Sequence, residues 1–124
     1  MLIEEYFKKI ESDIANFPSV IESRLVKDKR SLHIGIIEGQ IYFMDGSVLF
    51  FIEFVNVKER TEKYKYSYHY QDQNGKFIFR YDMAPHHREI TSFPHHKHIN
   101  PEKVIEASDP SLAKILYEIE ELMA

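Results

Sequence analysis

Residues 64–98 read YKYSYHYQDQNGKFIFRYDMAPHHREITSFPHHKH, and this stretch decides how the chain is organised. Tyr64, Tyr66, Tyr68 and Tyr70 alternate with polar residues, the period-2 pattern of a strand buried on one face. Asn74-Gly75 and a second apolar run, Lys76–Asp82, complete a hairpin signal. A two-residue loop at Asn74-Gly75 sets His69 opposite Arg80, Ser67 opposite Asp82, Tyr68 opposite Tyr81 and Tyr70 opposite Phe79. A four-residue loop keeps the same faces, and a three-residue loop breaks them. One face then carries Tyr64, Tyr66, Tyr68, Tyr70, Phe77, Phe79 and Tyr81 and is read as core. The other carries Lys65, Ser67, His69, Ile78, Arg80 and Asp82, which brings a base, a guanidinium and a carboxylate together.

Beyond Asp82 the run MAPHHREITSFPHHKHINP holds five of the seven histidines. Pro85, Pro94 and Pro101 punctuate it, so the histidines are expected on loops or short edge strands. Pro85-His86-His87 and Pro94-His95-His96 read as two turns flanking a short strand, Arg88 to Phe93. That arrangement folds both histidine groups back toward Arg80 and Asp82.

Upstream, residues 2–16 carry Leu2, Ile3, Tyr6, Phe7, Ile10 and Ile14 at helical spacing, and Pro18 stops the pattern. From Val20 the period becomes that of strands, with a hairpin signal at Asp45-Gly46, where both turn residues must accept φ > 0. The run VLFFIEFV at 48–55 is apolar on both faces, which suggests a central strand covered on both sides by the terminal helices. Glu53 interrupts it, either as a general base with a raised pKa or as a strand-end carboxylate turned to solvent or to a lysine. At the C-terminus Asp109 is the expected N-cap, Pro110 the first helical residue, and Leu112, Ile115, Leu116, Ile119, Leu122 and Met123 the apolar stripe.

The expected fold is therefore α+β: a single domain over 1–124, an antiparallel β-sheet of five or six strands flanked by an N-terminal and a C-terminal α-helix. The 124 residues suffice for one core. With no cysteine, disulfides and thiolate zinc sites are excluded. No run is long and apolar enough for a membrane span, and the N-terminus lacks the pattern of a signal peptide, so a cytoplasmic location is the expectation. The net charge of −4 argues against non-specific nucleic-acid binding, although residues 58–98 sum to +3 and the remainder to −7.

Three chemistries suit these residues. In metal-independent RNA cleavage, Arg80 stabilises phosphate charge and Asp82 orients an imidazole. His69, His86 or His95 then serve as acid and base, with Glu53 a further candidate base. Lys65, Tyr81, His87, Lys97 and His98 are the substrate-binding candidates. In the second, a divalent metal binds at the histidine cluster, drawing on His95, His96 and His98 with His86 or His87 and Asp82. The spacing matches no established zinc motif, so no metal ligand and no cofactor are assigned, and adjacent His95 and His96 should point apart. The third is a non-enzymatic binding module with a histidine-rich interface, and a homodimer remains open.

The motifs YSYHYQ, FRYD-x-APHH and FPHHKH, together with DGSxL at Asp45–Leu49, resemble the TumE family of toxin components of prokaryotic toxin–antitoxin systems. The resemblance covers most of the chain, and Met83 stands where a polar residue is expected. It implies a growth-inhibiting toxin neutralised by an antitoxin of the DNA-binding helix-turn-helix type; RNA cleavage is a hypothesis that suits many toxins of this size. No catalytic residue is carried over from the family.

Overall fold

The computed structural model describes residues 1–83, 95–100, 103–106 and 110–124. The elements run α1 (Ile3–Ala15), β1 (Val20–Lys29), β2 (Ile34–Phe43), β3 (Val48–Asn56), β4 (Glu62–Gln71), β5 (Phe77–Met83), β6 (His95–Asn100), β7 (Lys103–Glu106) and α2 (Leu112–Met123). The strands form one antiparallel sheet in the order of the sequence, β1 to β7. Its six strands from Val20 to Asn100 and the short β7, with a helix at either end of the chain, make the α+β architecture that the patterning implies. The anticipated strand at Arg88–Phe93 lies outside the described residues.

Both helices pack on the same face of the sheet. Ile3, Tyr6, Phe7, Ile10 and Ile14 of α1 and Leu112, Ile115, Leu116 and Ile119 of α2 join one core with Ile37, Ile41, Leu49, Phe51, Val55, Tyr66, Tyr68, Tyr70 and Phe79. The expectation that β3 is covered on both sides is therefore corrected. Leu49, Phe51, Glu53 and Val55 are buried beneath the helices, while Ile52 and Phe54 are only half buried and Phe50 is exposed. A continuous apolar run does not distinguish a doubly covered strand from one with a partly open aromatic face. Gly35 lets α1 approach closely. A Cβ there would stand 2.7 Å from Ile3 Cγ1 and 2.9 Å from both Phe7 Cζ and the Asp28 carbonyl oxygen.

The hairpin at Asn74-Gly75 sets the site. Its central pairs are those expected: Ser67 with Asp82, Tyr68 with Tyr81, His69 with Arg80, Tyr70 with Phe79. The loop itself differs. The Asp72 amide donates to the Lys76 carbonyl (2.9 Å) and the Gly75 amide to the Asp72 carbonyl (3.0 Å), with Gly75 at φ 79. This is a three-residue loop, and a bulge between Tyr70 and Gln71 restores the register. The bulge moves Phe77 off the core face and against His69, ring centroids 5.5 Å apart, while Ile78 packs on the core. A second bulge, between Phe54 and Val55, displaces Tyr64, whose ring meets Phe54 edge-on at 5.1 Å. Those two aromatics are thus corrected from core to the opposite side, because each bulge adds a residue that the alternation rule does not count. At the other sheet hairpin the Phe43 amide donates to the Ser47 carbonyl (3.0 Å), and Gly46 carries the positive φ of 84.

The histidines of 95–98 are not at a sheet edge. β6 is paired with β5 on one side and β7 on the other, with Pro94 just before it and Pro101 just after. The cap of α2 is Ser111, whose side chain accepts from the Lys114 amide (3.2 Å), in place of Asp109. Pro110, expected as the first helical residue, lies two positions before it, and its carbonyl accepts from Lys63 Nζ.

Candidate functional site

β5 and β6 pair Arg80 with His98 and Asp82 with His96. Their side chains share one face of the sheet, on which no helix packs among the described residues. Asp82 Oδ1 lies 2.9 Å from His96 Nδ1 and 3.3 Å from His98 Nε2. Asp82 Oδ2 accepts from Arg80 Nε at 3.1 Å. Asp82 and His96 are buried, and the Arg80 side chain is 43% exposed. Burial lowers the pKa of His98, against the opposing pull of the Asp82 carboxylate.

On the neighbouring strand His69 lies directly across from Arg80. Burial and then the Arg80 guanidinium lower its pKa, so the ring is neutral at pH 7. From this pair a trough of about 680 Å³ runs across the open face to β1, lined by Arg24, Gln40, Phe50, Ile52, His69 and Arg80 among others. Phe50 is tilted over His69, centroids 6.3 Å apart. Glu38 is the carboxylate that lines the trough. The register puts exposed Lys65 on the same face, opposite Phe54.

The other described candidates lie on the helix side. His95 meets the Tyr66 hydroxyl at 2.9 Å through Nδ1 and stacks on that ring at 5.8 Å. Adjacent His95 and His96 thus point to opposite faces, as strand alternation requires. Lys97 bonds Glu118 (2.5 Å), and Tyr81 donates to the same carboxylate (2.8 Å). Burial works against the charged form of Lys97, but Glu118 and Tyr81 outweigh it and raise its pKa. Glu53 is fully buried behind the sheet, where it accepts from the hydroxyls of Tyr6 and Tyr68, with Lys63 Nζ at 3.9 Å. His86 and His87 lie outside the described residues.

His96, the imidazole nearest Asp82, was not among the acid–base or substrate-binding candidates. Parity could have found it: if 95–100 pairs antiparallel with 77–83 so that His98 faces Arg80, then every even-numbered residue of the two segments shares a face. The trough residues on β1 and β2 carried no such signal, because Arg24 and Gln40 look like ordinary surface residues in the sequence.

The helix-backed antiparallel sheet thus gathers a guanidinium, a carboxylate and imidazoles on its other face beside a trough, a set of groups whose chemistry suits an anion. The family model described as Toxin TumE matches residues 8–123, and the chain belongs to that toxin family. No curated protein and no solved structure gives a significant match. Membership of a toxin family points to an antitoxin partner. Among the described residues, no helix is long and apolar enough to cross a membrane.

Proposed function

We propose that this toxin cleaves RNA phosphodiester bonds on the helix-free face of the sheet, with His69 as proton acceptor and Arg80 as the phosphate-binding group. The observation that carries this reading is the direct opposition of His69 and Arg80 at the end of the trough. A neutral imidazole can take the proton of a 2′-hydroxyl. The 2′-oxygen then attacks phosphorus, a 2′,3′-cyclic phosphate closes, and the P–O5′ bond breaks with water protonating the leaving oxygen. Arg80, held on one side by Asp82, keeps donors for the phosphorane oxygens. Neither proton transfer requires a metal ion. Exposed Phe50 offers a ring on which a base can stack, independently of sequence. Arg24 and Lys65 supply cationic charge on the same face despite the net charge of −4. The antitoxin partner is of the helix-turn-helix type, and the site of action is the cytoplasm, where the RNA is.

The test is paired. Induced wild-type protein should arrest growth, and purified protein should leave cyclic-phosphate ends on RNA. His69→Gln and Arg80→Ala should each lower cleavage by about 10²-fold or more, the range for losing one proton-transfer or charge-stabilising group. Full toxicity of Arg80→Ala at equal protein level would overturn the reading.

A further inference from the structure

We infer that Asp82, His96 and His98 bind one divalent first-row transition metal ion. Their ligand atoms, one from each residue, all lie within 4.8 Å of one another. Bonds of about 2.0–2.1 Å put neighbouring ligand atoms roughly 2.9 Å apart at right angles and about 3.3 Å apart at tetrahedral angles. The separations from Asp82 Oδ1 are 2.9 Å to His96 Nδ1 and 3.3 Å to His98 Nε2. Asp82 Oδ1 is buried and, among the described residues, accepts no hydrogen bond of good geometry despite these two close nitrogens. Two ring nitrogens and an oxygen converge at ligand-to-ligand spacing, and His96 Nδ1, which also lies 3.1 Å from the Asp82 main-chain carbonyl, exchanges that hydrogen bond for the ion.

The backbone makes that arrangement rigid. His96 and His98 occupy alternate positions of one strand, and Asp82 is the direct partner of His96 on the next. Two imidazoles and one carboxylate suit zinc, cobalt, nickel or iron better than calcium or magnesium, which take oxygen ligands. Arg80 on Asp82 Oδ2 is the outer-shell bond that fixes a ligating carboxylate. A dication beside Arg80 leaves positive charge in excess of Asp82, so an anion such as a phosphate would complete the shell. The inference shares this site with the proposed cleavage but does not depend on it.

The test is titration of chelator-stripped full-length protein with Zn²⁺ by calorimetry, and with Co²⁺ by visible absorption, in the absence of RNA. One equivalent should bind, and Zn²⁺ should raise Tm. His98→Gln and Asp82→Asn should each weaken binding by about tenfold or more, while His33→Gln, remote from the cluster, leaves it unchanged. His98→Gln replaces a side chain at the site's more accessible edge and decides the matter should Asp82→Asn not fold. Absence of binding to wild type, or affinity retained in His98→Gln, would overturn the inference. Since RNA is absent, a failed titration leaves the cleavage reading standing, and failed cleavage leaves a positive titration standing.

Discussion

Asp82 holds Arg80 through one carboxylate oxygen, Oδ2 to Nε at 3.1 Å, while its other oxygen faces two imidazoles on the next strand. The guanidinium is half exposed, but the carboxylate that anchors it is buried. Asp82→Asn keeps the shape and removes the charge that three neighbours face. It should cost about 1–3 kcal/mol of stability, the usual penalty for disturbing a buried charged hydrogen bond. Urea unfolding of the variant measures this, and a change within 0.5 kcal/mol, about the scale of a neutral surface substitution, would contradict it.

Glu53 and Lys63 form the second buried charge system, on the helix side. Lys63 Nζ donates to the Tyr68 hydroxyl (2.8 Å) and to the Pro110 carbonyl, and lies 5.0 and 5.1 Å from the ring centroids of Tyr66 and Tyr68. Glu53→Gln removes the carboxylate 3.9 Å from that buried ammonium and the acceptor of two tyrosine hydroxyls, and should cost about 3–5 kcal/mol. The double variant Glu53→Gln/Lys63→Met should recover part of the loss. A thermal-melt double-mutant cycle showing strict additivity would contradict this coupling.

Gly35 marks where α1 rests on the sheet. Gly35→Ala puts a methyl within 3 Å of Ile3, Phe7 and the Asp28 carbonyl, so the helix must move. Overpacking of this kind costs about 1–3 kcal/mol. A midpoint shift in denaturant with an unchanged slope is the expected result.

His69 gives the protein a pH dependence of known sign. Its folded-state pKa is depressed below the ordinary 6.5, by burial first and Arg80 second, with the Gln71 side chain opposing. The unfolded chain therefore binds more protons between the folded-state pKa and 6.5. Stability should fall as pH drops through that window and level off beneath it. His69→Gln should flatten this part of the profile, measured by urea unfolding between pH 5 and pH 7.5. Under the proposed function, activity should persist to a lower pH than an unperturbed imidazole would allow.

Gly75 takes φ 79 to close the β4–β5 loop. Gly75→Ala should lose about 1 kcal/mol, the cost of the left-handed region for a residue with a Cβ. Because that turn supports the His69–Arg80 pairing, the same variant reports whether turn strain reaches the site. Unchanged stability in denaturant would show that the loop relaxes freely.

Local chemistry made much of this molecule legible. Hydrophobic spacing defines both helices, because it depends only on near neighbours in the chain. The pairs Ser67–Asp82 and His69–Arg80 follow from a two-residue loop in the sequence, and they hold in the structure because the bulge between Tyr70 and Gln71 offsets a three-residue loop. Parity also separates His95 from His96. Three things needed the tertiary structure. Both helices share one face of the sheet, because a helical stripe specifies that it must be covered but not by which side. Bulges moved Tyr64 and Phe77 out of the core, because an inserted residue shifts the pleat without altering the sequence pattern. His96 and His98 reached Asp82, and Arg24 and Gln40 reached the trough, through pairings between strands, whose register is settled by packing over the whole sheet.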